Sequence, residues 1–155
     1  MAIDIDSSKI KWEIKDFVVD EKYKKYLAFG TSNASTTPMR WVQNIETKSI
    51  YLLARHFCWR IDLKMQCATL ISDFLDMDIT NRWNIKEATL HNNKLYFIGS
   101  QGFEFYPNII GVYDIDQRQV IDYAKIENGY FRNSPQIINN EITVQDSNGK
   151  LHLYS

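Results

Sequence analysis

The stretch that decides the fold reads Ala88-Thr89-Leu90-His91-Asn92-Asn93-Lys94-Leu95-Tyr96-Phe97, and it returns as Gln136-Ile137-Ile138-Asn139-Asn140-Glu141-Ile142-Thr143-Val144. In both copies an apolar run is followed by an Asn-Asn pair and by a second run in which apolar residues alternate with others. Asn tolerates the positive φ that both central positions of a type I′ turn require. Each copy therefore predicts a β-hairpin with a two-residue turn.

The hairpin recurs at a regular spacing along the chain. Leu95 and Ile142 hold equivalent positions and are 47 residues apart, and a looser third copy at residues 42–53 places Ile50 45 residues before Leu95. A period of about 40–50 residues is what a four-stranded propeller blade requires. The spacing therefore predicts three blade-like units.

Further alternating runs follow the hairpins and supply the other strands of each unit. Third strands are predicted at residues 58–63, 110–115 and 150–154, and fourth strands at residues 66–71 and 119–124. The third unit has no fourth strand of its own. We expect the N-terminal strand at residues 9–14 to complete it, because such a closure hides the edges of a propeller.

Residues 134–154, which run from Ser134-Pro135 through the second Asn-Asn turn to Leu153-Tyr154, resemble a quinoprotein-type or kelch-type propeller repeat. The resemblance covers about half to two thirds of the chain and implies blade architecture only. Quinoprotein enzymes also bind pyrroloquinoline quinone and calcium, and no residues match those sites, so we expect no cofactor and no metal. Complete propellers use at least about four blades. The prediction is one all-β domain over residues 1–155, with antiparallel four-stranded blade-like sheets in an incomplete or small propeller-like meander.

One stretch, near residues 18–38, breaks the repeat. Its first half has an acidic start at Asp20, a basic centre and apolar positions about three to four apart, which predicts a short helix. Its second half, residues 30–38, is a polar loop. The insert is either a connector that covers an open end of the sheets or a mobile binding loop.

Composition favours a single soluble domain. The 155 residues are 45% hydrophobic and 14% aromatic, which is enough to fill one core. No apolar run reaches the roughly 18 residues of a membrane span, and the N-terminus lacks the order of a signal peptide. We therefore expect a cytoplasmic protein without a membrane partner. The net charge of −1 gives no overall electrostatic footprint for nucleic acid, so direct nucleic-acid binding is not expected.

Side chains with catalytic or metal-binding chemistry are sparse. His56 and Cys58 would project from one face of a strand and Cys67 could approach across a hairpin, but three ligands fall short of the four of structural zinc. Two buried cysteines in a reducing compartment are typical of core packing. The Asp-x-Asp formed by Asp76 and Asp78 lacks the Gly and Glu of a calcium-binding hand and is typical of a solvated loop. We therefore expect no enzymatic activity.

Two loops carry aromatic residues that are not required to form a turn. Residues 102–108 join the second and third strands of the middle unit, where the last unit has only residues 146–149, and residues 128–133 link these two units. Aromatic and Arg side chains are the usual anchors of interfaces, although these rings could instead fold back onto the core. The predicted partner-binding residues of these loops and of the acidic loop are Phe103, Glu104, Phe105, Tyr106, Tyr130, Phe131, Arg132, Asp73, Asp76 and Asp78.

These features predict a non-catalytic protein-binding domain. A small cytosolic scaffold with aromatic and acidic loops is similar to the class of bacterial immunity proteins, which neutralise a cognate toxin, in many cases a nuclease, in a 1:1 complex. Acidic groups would then imitate phosphates, and the rings would serve as anchors. One alternative is a glycan- or quinone-dependent propeller enzyme, or a fragment of one, that uses Asp62 and Asp114 as acid and base, although Asp at this point of a blade is also a turn former. Another alternative is a scaffold that self-assembles through exposed edge strands.

Overall fold

The computed structural model describes residues 2–3, 10–14, 16–19, 21, 40–54, 57–71, 83–102, 104–139 and 141–154. This part of the chain is all-β, as predicted. In chain order its strands are β1 (Ala2–Ile3), β2 (Ile10–Trp12), β3 (Asp16–Val18), β4 (Arg40–Asn44), β5 (Ser49–Ala54), β6 (Phe57–Asp62), β7 (Cys67–Leu70), β8 (Trp83–His91), β9 (Lys94–Gln101), β10 (Ile109–Asp114), β11 (Gln119–Lys125), β12 (Gln136–Ile138), β13 (Glu141–Gln145) and β14 (Leu151–Tyr154). Strands β4–β7, β8–β11 and β12–β14 form antiparallel meanders, here called the first, middle and last sheets.

The first of the two Asn-Asn turns has the predicted backbone conformation. Between β8 and β9, Asn92 and Asn93 have φ angles of 47° and 58°. Both values lie in the left-handed region, as a type I′ turn requires. Between β12 and β13, Asn139 has a φ of 52°, and Asn140 lies outside the described residues.

The longer turns share a second feature. A polar side chain at the end of the preceding strand accepts hydrogen bonds from backbone N–H groups of the turn. Asn44 Oδ1 accepts from one backbone N–H, and Asp62 Oδ1 and Asp114 Oδ1 accept from two each, at 2.8–3.1 Å. The last residue of each turn has a positive φ, and these residues are Lys48 (52°), Gln66 (55°) and Arg118 (56°). Asp62 and Asp114 are therefore turn formers, because a short carboxylate can satisfy local backbone amides.

The middle sheet lies between the other two sheets. Its contacts with the first sheet form one buried cluster, namely Tyr51, Leu53, Cys58, Ile71, Trp83, Ile85, Leu95, Phe97, Ile109, Tyr113 and Ile115. Its contacts with the last sheet form a smaller cluster, namely Ile98, Ile110, Phe131, Ile142 and Val144. Because side chains alternate along a strand, Phe97 and Ile98 of β9 point to opposite faces. Burial of each large apolar side chain stabilises the fold by about 1.5–3 kcal/mol.

The sheets are arranged like neighbouring blades. Their first strands lie together, since β4 contacts β8 and β8 contacts β12. Tyr113 Oη donates to Ile71 O at 2.9 Å, which joins the middle sheet to the first. The described residues form no closed propeller or barrel, so the arrangement is an incomplete propeller-like meander.

The N-terminal strands pair differently from the predicted closure of the last unit. Strand β2, which falls within the predicted strand at residues 9–14, pairs with β1, and β3 adds to the outer edge of the first sheet in parallel with β7. A nearby partner in sequence is favoured because closing a short loop costs less entropy than closing a long one. Within the described residues the last sheet keeps three strands.

The predicted helix or loop insert at residues 18–38 falls almost entirely outside the described residues. The described part of the chain contains no helix with the length and apolar character that a membrane span needs.

Candidate partner-binding surface

The linker between β11 and β12 is bound to the loop between β9 and β10. Phe131 N donates to Pro107 O at 2.7 Å, and Ile126 N donates to Asn108 O at 2.9 Å. Ser100 Oγ donates to Glu104 O at 2.8 Å, which holds the start of the loop. A loop fixed by hydrogen bonds at both ends presents its side chains in a defined position.

The same linker is bound on its other side to the turn between β13 and β14. Ser147 N donates to Tyr130 O at 2.7 Å, and Tyr130 N donates to Ser147 Oγ at 3.2 Å. Gly129 has a φ of 94°, and a Cβ atom there would lie 2.7 Å from Ser147 Oγ. Only glycine combines this conformation with this close approach. The two loops and the turn therefore form one face at the end of the middle and last sheets.

Three rings of this face form what we call the aromatic surface, namely Phe105, Tyr106 and Tyr130. The exposed fractions of Phe105 and Tyr106 are 75% and 59%. Tyr106 stacks on Tyr130 with centroids 5.0 Å apart, and Phe105 meets Tyr106 edge to face at 5.2 Å. Both are favourable geometries for a pair of aromatic rings. The rings thus order one another while their outer faces stay in water.

Charged side chains surround the aromatic surface. Lys125 Nζ lies 2.6 Å from Glu104 Oε1, and Lys86 Nζ lies 5.3 Å from the centroid of the Phe105 ring. The hydrogen bond from Lys125 is the main cause that lowers the pKa of the Glu104 carboxyl, and the Asn108 amide adds to it. Because both partners of the ion pair are partly exposed, it contributes only about 0–1 kcal/mol to stability. Its effect is to orient the loop beside the rings.

The structure brings Glu104, Phe105, Tyr106 and Tyr130 together, but it places Phe131 elsewhere. The prediction that Phe131 is a surface anchor is wrong, because its exposed fraction is 1% and it packs in the smaller buried cluster. Its ring meets that of His152 edge to face at 5.6 Å.

The remaining predicted partner-binding residues have other positions. Arg132 has an exposed side chain, and its backbone N–H donates to Gln145 O at 3.0 Å. Phe103 lies outside the described residues, and so do the acidic residues Asp73, Asp76 and Asp78.

Sequence reasoning missed the two lysines of the surface, Lys86 and Lys125. In the pairing of β10 with β11, Lys125 lies opposite Ile109. Ile109 is the first residue of β10 after the loop, so Lys125 lies beside the end of that loop. A hairpin alignment from the preceding turn could have found Lys125, although β11 contains a bulge that shifts the register by one residue. The same alignment does not locate Lys86, because the pairing of β8 with β9 shifts its register between Ile85 and Glu87.

The candidate catalytic and metal-binding residues have structural surroundings. Cys58 is fully buried, and burial raises the pKa of its thiol to about 12, so it packs as a small apolar residue and not as a thiolate nucleophile. His56 lies outside the described residues. Among the residues that are described, no group of three or more His, Cys, Asp or Glu side chains could hold a metal ion.

Comparison with known proteins gives no family for the chain. No family model matches the sequence, and no curated protein matches it. Among solved structures, the crystal structure of the computationally designed Ika4 protein matches with 11% identity and a TM-score of 0.40, over 77% of this chain and 91% of that one.

Proposed function

We propose that the chain is a non-catalytic protein-binding domain and that the aromatic surface is its docking site. The observation that supports this proposal is the exposure of Phe105 and Tyr106 on a loop fixed at both ends. Large rings left in water cost free energy that a partner recovers, about 1.5–3 kcal/mol for each ring that becomes fully buried. Rings already held in place also lose little conformational entropy on binding.

We propose further that the partner is a cognate bacterial toxin and that the chain is its cytoplasmic immunity protein, which blocks the toxin in a 1:1 complex. Glu104 is an acid beside aromatic anchors, and the hydrogen bond from Lys125 lowers the pKa of its carboxyl still further below neutral pH. Lys125 offsets this charge, however. Imitation of the phosphates that a nuclease binds would therefore rest mainly on Asp73, Asp76 and Asp78, which lie outside the described residues.

The test is coexpression with the product of the neighbouring upstream gene. Immunity predicts that the neighbour arrests growth, that this chain restores growth, and that the two proteins copurify. A double variant Phe105→Ala/Tyr106→Ala should lose both rescue and copurification. The matched control is Trp41→Ala, which removes an aromatic side chain that is 65% exposed on the first sheet, and it should retain both. A harmless neighbour that does not copurify would contradict immunity.

The two alternatives differ in what supports them. An enzyme that uses Asp62 and Asp114 has no supporting observation, because both carboxylates accept hydrogen bonds from their own turns. Self-assembly is supported by one observation, because no described strand covers the outer edge of β14. The size of the protein in solution, measured over a range of concentrations, distinguishes self-assembly from a monomeric binding domain.

A further inference from the structure

Among the described residues, the last sheet has three strands where the middle sheet has four, and the fourth is missing at its outer edge. In the first sheet β6 is followed by β7, and in the middle sheet β10 is followed by β11. Strand β14 holds the place of β6 and β10 in the repeat, and no strand among the described residues pairs with its outer side. An unpaired strand edge offers backbone donors and acceptors to another chain.

The hydrogen bonds of the last turn show which groups of β14 point to the free edge. Asp146 N donates to Lys150 O at 2.9 Å, so Lys150 directs its backbone groups toward β13. This direction alternates along an antiparallel strand. Leu151 and Leu153 therefore direct their N–H and C=O groups away from β13 and into the free edge.

A cleft continues from this edge between the last and middle sheets. Its volume is about 280 Å³, and its lining includes Ile142 and Tyr154 on one side and Val112 and Ala124 on the other. The lining also includes Ile121 and Tyr123 of β11, the fourth strand of the middle sheet. The cleft thus extends over β11, where a fourth strand of the last sheet would pack.

The repeat itself indicates what fits this place. In the first sheet the corresponding strand, β7, alternates in burial, and its Ala68 and Leu70 are buried. A matching segment is extended, about four or more residues long, with small or aliphatic side chains at alternate positions. The apolar residues Val112 and Ala124 in the cleft suit such side chains.

We propose that the free edge of β14 and this cleft take up an extended strand of the partner protein, which completes the last sheet by antiparallel pairing. The inference rests on the proposed function, since the strand belongs to the protein that docks on the aromatic surface. The start of β14 lies near the aromatic surface, because Ser147 of the turn before β14 is hydrogen-bonded to Tyr130. Strand addition to an exposed sheet edge is a known mode of peptide recognition.

The test uses a synthetic peptide with the sequence of residues 66–71, which contains β7, the fourth strand of the first sheet. The peptide is titrated into the isotopically labelled full chain and followed by NMR. We expect shifts at Leu151, Leu153, Val112 and Ala124, and amide exchange at Leu151 and Leu153 slowed at least about tenfold.

Two variants at one position separate edge pairing from side-chain contact. Leu153→Pro removes only the outward N–H and leaves the bonds of β14 to β13 in place, so peptide affinity should fall at least about tenfold. Leu153→Ala keeps that N–H, so its peptide affinity should fall by less than that of Leu153→Pro. Since Leu153 is 61% exposed, both variants should fold.

Three results would overturn the strand proposal. They are no shift at any soluble peptide concentration, protection of the Leu151 and Leu153 amides in the free monomer, and self-association of the chain through this edge. If the peptide fails while Phe105→Ala/Tyr106→Ala still abolishes rescue, the strand proposal fails and the proposed function stands. If rescue is unaffected by that double variant, the docking site itself is wrong.

Discussion

The loop between β9 and β10 and the turn between β13 and β14 occupy the same position in two units of the repeat, yet they are built in opposite ways. In the turn, Asp146 is 3% exposed, and its carboxylate accepts from two backbone N–H groups at 2.9 Å and lies 2.8 Å from His152 Nε2. The loop instead holds Phe105 and Tyr106 in water. The turn shows that joining these strands needs only a few internally satisfied residues. The additional rings of the loop therefore point to binding and not to folding.

The largest loss of stability is expected when the buried ring of Phe131 is removed. We predict that Phe131→Ala lowers the free energy of unfolding by about 3–5 kcal/mol, because it leaves a cavity in the smaller buried cluster. Urea denaturation followed by tryptophan fluorescence measures this change. A loss below about 1 kcal/mol would show that Phe131 is not part of the core.

A smaller loss of stability is expected where the linker contacts the turn between β13 and β14. We predict that Gly129→Ala lowers the free energy of unfolding by about 1 kcal/mol or more, because Ala disfavours positive φ and its Cβ meets Ser147 Oγ. The Ser147→Ala background has already lost the hydrogen bond from Tyr130 N and has no Oγ to meet the new Cβ. Gly129→Ala should therefore cost less in that background than in the native chain, but the backbone strain remains. If Gly129→Ala costs nothing in the Ser147→Ala background in the same denaturation assay, φ at this position is unimportant.

The turn should also make stability depend on pH. Hydrogen bonding with His152 is the main cause that lowers the pKa of Asp146 below its ordinary value of 3.8. A carboxyl whose folded pKa is depressed stabilises the fold fully above its unfolded pKa, and this contribution is lost as pH falls through the folded pKa. Urea unfolding between pH 7 and pH 2.5 should show a steeper acid loss in the native chain than in Asp146→Asn. Parallel profiles would contradict a structural role for this carboxylate.

The smallest effect on folding is expected in the loop. We predict that Phe105→Ala and Tyr106→Ala each change the free energy of unfolding by about 0.5 kcal/mol or less, since exposed side chains contribute little to the core. The same denaturation assay serves, with Phe131→Ala as the comparison. A loss of several kcal/mol would assign these rings to the fold and weaken the binding interpretation.

The sequence predicted what is local and missed what depends on distant pairing. The Asn92-Asn93 turn and the roles of Asp62 and Asp114 as turn formers follow from residues within a few positions, and each is present in the structure. The partner of β2 depends on competition between remote edges, which hydrophobic pattern does not resolve.

The two rings of the linker illustrate the same limit in the candidate site. Tyr130 and Phe131 are adjacent and chemically similar, and either could face the solvent. The backbone pairing of Phe131 with Asp146 turns the Phe131 ring into the core and leaves Tyr130 beside Tyr106. That pairing joins the linker to the turn of the last unit and not to its neighbours in sequence, so no local rule predicts it.

The most direct test of the docking site is the affinity of the copurified neighbour protein for three forms of the chain, measured by isothermal titration calorimetry. For Phe105→Ala/Tyr106→Ala we predict a binding free energy weaker by about 2 kcal/mol or more, as for interface hot spots. Trp41→Ala should bind like the native chain. Equal affinity of the double variant and the native chain would contradict the assignment of the aromatic surface as the binding site.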